Sequence, residues 1–139
     1  MLDSTCLPTE IPAPDLAALD PALRPNAHAL EVAYHYLCAE TDDPRTHTDL
    51  RKAYAALQRG YTLTSDATIE LVGSDGHTIY IVGHGICVIK GQFEATKNGR
   101  HRPALCRGWK AAQRRSGACY HCWATDMLRV AQALERGDL

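Results

Sequence analysis

The chain has 139 residues and a net charge of −1, and its hydrophobic fraction of 45% includes 20 alanines, so Ile, Val, Leu and Phe together supply only 27 residues. That length predicts one compact domain, and the small net charge sets the chain apart from disordered sequences despite its thin set of large apolar residues. No apolar run approaches the ~18 residues of a membrane span, and the N-terminus shows no secretory signal, so the expected compartment is a reducing cytoplasm where thiols are free or metal-bound.

Residues 1–25 carry five of the seven prolines, which predicts an extended arm; Leu16, Leu19 and Leu23 are placed to pack a short turn on the body. A domain over 26–139 follows, with a helical pair at 26–60 and a second module at 61–139. Asn26 caps the first predicted helix, whose apolar face is Leu30, Tyr34, Leu37 and Cys38, and which ends before Thr41-Asp42-Asp43-Pro44. A second helix is expected from Thr46 or Thr48, with Asp49 in its first turn, Leu50, Tyr54 and Leu57 on its apolar side, and Gly60 at its end.

The periodicity then changes. Thr68–Val72 and Thr78–Val82 read as strands around the turn Gly73-Ser74-Asp75-Gly76, and Ile86–Ile89 reads as a third strand after Gly83-His84-Gly85. A loop is expected at Asn98-Gly99, then a helix from Pro103 to Ser116 with Leu105, Trp109 and Ala112 on one face and Arg107, Lys110 and Arg114 on another. A last helix over Cys119–Arg136 has Trp123, Met127, Val130 and Leu134 as its buried stripe. The expected class is α+β: a small antiparallel sheet, a hairpin plus a third strand, packed with helices and stapled by zinc, after an N-terminal helical pair.

The average charge conceals an asymmetry. Residues 1–89 hold five basic and twelve acidic side chains, whereas residues 90–115 hold eight basic ones (Lys90, Lys97, Arg100, Arg102, Arg107, Lys110, Arg114, Arg115) and one acid, Glu94. Such a segment either faces phosphate or pairs with the acidic half of its own fold.

Four of the six cysteines, Cys87, Cys106, Cys119 and Cys122, lie between positions 87 and 122, in and around this segment, with His121 beside them. Zinc takes four thiolate or imidazole ligands in a tetrahedron. Cys119-x-His121 at the mouth of a helix delivers two ligands to one point, Cys87 at a strand and Cys106 near a helix start deliver the others, and zinc ligation contributes ~10–16 kcal/mol of apparent folding free energy in finger peptides. Cys122 follows His121 directly; adjacent helical residues point about 100° apart, so both on one ion is disfavoured and His121 is preferred. Whether Cys122 replaces Cys106 or His121 stays open. Cys38 reads as core and Cys6 as a free thiol. His101 reads as a solvated group or phosphate contact, and His28, Glu31 and His35 as an exposed polar face.

The stretch from Ile69 to Ala131 resembles a SWIM-type zinc finger, in which a β-hairpin and a C-x-C precede a C-x-H that enters a helix with a small residue three positions on. Here the hairpin is Thr68–Val82, Cys87 is the first ligand, Cys119-Tyr120-His121 is the C-x-H, and Ala124 is the small residue. The second cysteine of C-x-C falls at position 89, which is Ile, so the resemblance hands that role to Cys106 across the spacer. It implies a structural zinc site and a partner that is DNA or protein, not a catalyst.

The leading expectation is therefore a cytoplasmic zinc-binding module that meets nucleic acid, DNA rather than RNA, through Lys97, Arg100, Arg102, Arg107, Lys110, Arg114 and Arg115, largely by phosphate contacts. The second is a protein-interaction adaptor or a self-associating chain that docks its basic on its acidic face. The third is a small thiol- or zinc-dependent enzyme, disfavoured because no G-x-S-x-G, P-loop, H-E-x-x-H or deaminase H-x-E pattern is present.

Overall fold

The computed structural model describes residues 19–113 and 119–138. Most of the proline-rich arm, with Cys6 and Leu16, lies outside the described residues, as do Arg114 and Arg115. The elements run α1 (Ala27–Ala39), α2 (Pro44–Arg59), β1 (Tyr61–Leu63), β2 (Ile69–Val72), β3 (Ile79–Gly83), β4 (Ile86–Ala95), β5 (His101–Leu105), α3 (Arg107–Gln113) and α4 (Tyr120–Arg136). The class is α+β, with an antiparallel sheet ordered β1-β2-β3-β4-β5 and helices packed against it.

Asn26 caps α1 as expected, its side chain accepting from the Ala29 amide at 2.8 Å. The second helix starts earlier than the sequence suggested. Asp43 is its N-cap, with its carboxylate on the Arg45 amide and the Thr46 hydroxyl, and Pro44 opens the helix, where its missing N–H costs nothing. Asp49 therefore falls outside the first turn. His28, Glu31 and His35 lie exposed on α1, and Tyr34 stacks on Tyr54 of α2 with centroids 4.8 Å apart.

The many alanines have a packing role. Ala33, Ala53, Ala56, Ala124 and Ala131 are fully buried, in one core with Leu30, Leu50, Leu57, Met127 and Leu128. Small side chains let α1 and α2 approach α4 closely, and the larger apolar residues fill the space toward the sheet through Ile69, Leu71 and Val82. Because α4 is covered from both sides, its buried arc runs through Ala124, Met127, Leu128 and Ala131, while Trp123 and Leu134 sit half-buried at its borders. Gly137, at φ 81°, ends α4 in the left-handed conformation, and the Asp138 amide returns to the Ala133 carbonyl.

The end of the arm is fastened to α4. Leu19 is buried, and the turn after it is clamped by the fully buried Gln132, whose amide donates to the Asp20 and Leu23 carbonyls and accepts from the Asp20 N–H at 2.8–3.0 Å. Gln132→Leu strands these backbone groups, and we expect it to lower stability by about 1–3 kcal/mol in denaturant unfolding.

The sheet differs most from expectation after Ile89. The third strand runs on to Ala95 and pairs with β5, so Pro103 lies in an edge strand instead of starting a helix, and α3 begins at Arg107. An edge tolerates proline because one flank of the backbone needs no ladder bond. The register slips between Ile89/Ala104 and Phe93/Pro103, leaving Lys90-Gly91-Gln92 as a bulge with Gly91 at φ 82°. The bulge separates an inner half of the β4–β5 ladder, against the body, from an outer ribbon closed by the turn at Asn98-Gly99. Strand β1, not anticipated, adds three residues to the opposite edge.

Candidate metal centre

Three segments converge on one point: β4, the junction of β5 with α3, and the start of α4. A two-residue turn, His84-Gly85, joins β3 to β4 with both residues at positive φ (55° and 77°), the conformation that matches strand twist. It fixes Cys87 opposite Val82 on the buried face of the sheet. Across the next ladder, Val88 pairs with Leu105 and the Cys106 amide, just past the end of β5, donates to the Cys87 carbonyl at 3.0 Å, so the two cysteines are neighbours. Cys119 is the N-cap residue of α4, and His121 lies in its first turn.

The ligand atoms of Cys87, Cys106, Cys119 and His121 lie within 4.8 Å of one another, and all four residues are buried. They form a cluster that could hold a metal ion. These are the four residues selected from the sequence. Cys122 is not among them: it is half-buried, with its Sγ 3.6 Å from that of Cys119. Cys38 packs at the border of the helical core, as expected.

The donors are held tightly. The imidazole of His121 stacks on Tyr80 (centroids 4.0 Å, 20°) and lies against Tyr120 (4.0 Å, 35°). Its Nδ1 faces Cys106 Sγ at 3.5 Å, while Nε2 is buried with no hydrogen-bond partner among the described residues. Gly108 lets α3 pass close by: a Cβ there would come within 3.3 Å of Cys119 Cβ and 3.7 Å of Cys106 Sγ. The Trp109 indole donates to the Gly85 carbonyl at 3.0 Å, tying α3 to the β3–β4 turn.

The electrostatics suit a cation. Hydrogen bonds from Cys106, Cys122 and Cys87 hold the Cys119 thiol far below its ordinary range, and the helix N-terminus favours the same thiolate. Contacts with Cys106 and Cys119 push Cys87 far up, and contact with Cys119 does the same to Cys122. Burial opposes the charged form of His121, but Cys106 and Cys119 outweigh it and raise its pKa. Sulfurs this close cannot all ionise by themselves; a bound cation would supply the missing positive charge. The chemistry of the donor set, three thiols with the Nδ1 of His121 turned toward them, fits a metal ion.

The basic segment is less uniform than its count suggested. Glu94, on the outer ribbon, accepts from Arg102 at 2.9 Å, from the Leu105 amide at 3.1 Å and from Lys110 at 3.2 Å, binding the ribbon to α3. Arg102 first, then the Leu105 N–H and Lys110, pull its pKa down to about 2. Lys90 pairs with Glu70 of β2 at 3.2 Å. Lys97 and Arg100, at the ribbon turn, and Arg107, at the start of α3, are exposed. Phe93 on the ribbon is 66% exposed, which its single-letter apolar character could not foretell. His101 is exposed as well.

A cleft of about 500 Å3 opens beside the cluster between α2, the sheet and α3; Cys106, Cys119 and His121 contribute to its wall, with Lys52, Tyr80, Arg107 and Tyr120 around them. No helix among the described residues is long and apolar enough to cross a membrane. No protein-family model matches the chain, and no curated protein and no solved structure matches it.

Proposed function

We propose that the chain is a structural zinc module of SWIM-like design whose basic ribbon and adjoining helix bind nucleic acid, DNA in the first instance. The observation that carries the metal reading is the convergence of three buried thiols and one buried imidazole to within 4.8 Å. Three sulfurs and one nitrogen suit zinc, and four protein donors complete a tetrahedron with no position left for water, the mark of a structural site. The SWIM-like design is supported by a β-hairpin, β2–β3, that precedes the first ligand at the start of β4, and by a C-x-H at a helix entrance. Cys106, arriving from the neighbouring strand, supplies the donor that position 89 lacks.

The nucleic-acid reading rests on the exposed cations. Lys97 and Arg100 at the turn and Arg107 at α3 have no carboxylate partner among the described residues, whereas Arg102 and Lys110 act first as internal ties to Glu94. The exposed Phe93 supports the second reading, a protein-docking ribbon, equally well as it supports stacking on an unpaired base.

Metal analysis of single variants tests the ligand set. Cys87→Ser, Cys106→Ser, Cys119→Ser and His121→Ala are each expected to lose zinc, while Cys122→Ala and Cys38→Ala retain it. Retention in Cys106→Ser together with loss in Cys122→Ala overturns the assignment.

A further inference from the structure

We infer that Cys119 and Cys122 form a reversible disulfide, making the mouth of α4 a thiol-oxidation site for a small hydroperoxide. The inference rests on the metal reading above only for its consequence, release of the ion.

Cys119-Tyr120-His121-Cys122 is a C-x-x-C sequence at a helix N-terminus. The two Sγ atoms are already in contact at 3.6 Å, and closing to the ~2.05 Å of a disulfide needs only side-chain movement plus a small adjustment of the first turn. Cys122 is surplus to the four mutually close donors. A tetrahedral site has no use for a fifth ligand, so this sulfur stands beside the coordination set as an uncommitted thiol. Cys119 also contributes to the wall of the 500 Å3 cleft, which gives a molecule the size of hydrogen peroxide a path to its sulfur. Cys106 competes as a partner, with Cys87 or with Cys119; Cys87 is fully buried and does not border that cleft, and Cys106 is one of the four mutually close donors whereas Cys122 is not.

The step balances as follows. The Cys119 thiolate attacks one peroxide oxygen, the O–O bond breaks, and the departing hydroxide takes a proton from solvent to become water; Cys119 is left as a sulfenic acid. The Cys122 sulfur attacks the Cys119 sulfur, the S–S bond forms, the S–O bond breaks, and the departing hydroxide takes the Cys122 proton as a second water. The two thiols lose two electrons in total and the peroxide gains them. Cys119 can then no longer serve as a thiolate ligand, and Cys87, Cys106 and His121 hold the ion more weakly.

The zinc-loaded full chain is first assayed for metal, then treated with hydrogen peroxide, alkylated and digested with trypsin. Cleavage after Arg115 and Arg129 leaves Cys119 and Cys122 in one peptide, while Cys87 and Cys106 fall in two others. The expected product is the Cys119–Cys122 peptide lighter by two hydrogens, formed in step with zinc release and reversed by dithiothreitol with zinc added back. Cys122→Ala and Cys122→Ser are expected to carry wild-type zinc but to trap sulfenic acid at Cys119, with any disulfide forming at least about tenfold more slowly. A Cys87–Cys106 or Cys106–Cys119 link as the main product, or unchanged disulfide formation without Cys122, overturns the inference. Absence of zinc in the starting protein contradicts the metal reading instead, and the disulfide is then judged from the peptide mass alone.

Discussion

Stripping the metal from the reduced chain is expected to abolish its native state. Structural zinc contributes ~10–16 kcal/mol in finger peptides, which is comparable to the ~5–15 kcal/mol total stability of an ordinary domain. The chain has little to set against that loss, because its helical interface is built largely on alanine, and each buried methyl or methylene group returns only ~0.8 kcal/mol. The elements that depend on the cluster are identifiable: β4 through Cys87, the β5–α3 junction through Cys106, and the start of α4 through Cys119 and His121. Trp109 on α3 and Trp123 on α4 report on them. A strong chelator under reducing conditions is expected to eliminate the near-ultraviolet circular dichroism of these indoles and the cooperative thermal transition, and zinc to restore both. Cys106→Ser should behave as the chelated protein does, and Cys38→Ala as the wild type. A chelated chain that keeps its near-ultraviolet signal and its melting temperature would contradict a structural role for the ion.

Charge reversal on the ribbon has the second large effect. If Lys97, Arg100 and Arg107 each neutralise one phosphate, the logarithm of affinity falls against the logarithm of salt with a slope near −2.7, or roughly 40-fold between 50 and 200 mM. The triple Glu substitution at these positions removes those contacts and adds repulsion, so a gel-shift or anisotropy titration on duplex DNA at low salt is expected to lose at least about 100-fold. Because all three side chains are exposed, zinc content and the thermal transition should be unchanged. Glu94→Gln is a useful contrast. It frees Arg102 and Lys110 from their internal partner and should strengthen binding while loosening the ribbon from α3. Equal affinity in the wild type and the triple variant would favour the protein-docking reading of the same surface.

The parts legible in the sequence are those set by local chemistry. Asn26 announces a cap, Asp75-Gly76 a turn, and C-x-H before an apolar stripe the entry of α4; each depends on a few adjacent residues. The four clustered donors were accessible for a related reason, since few residue types bind a soft metal and these crowd into one region. The β4–β5 ribbon was hidden because its evidence is long-range. Pro103 is as compatible with a helix start as with an edge strand, and only the pairing of Phe93 with Pro103 across the bulge decides between them. A three-residue strand such as β1 carries no periodicity of its own and exists through its pairing with β2. The buried arc of α4 exceeded its predicted stripe because α1, α2 and the sheet cover it from more than one side. The count of eight cations over residues 90–115 likewise could not reveal that Glu94 alone engages two of them.

The central claim is that Cys87, Cys106, Cys119 and His121 hold one structural zinc ion. Its most direct test is elemental analysis of the full chain, purified reduced and without chelators. We predict about one zinc per chain. Less than ~0.2 zinc per chain, with no other thiophilic metal in its place, would contradict the claim.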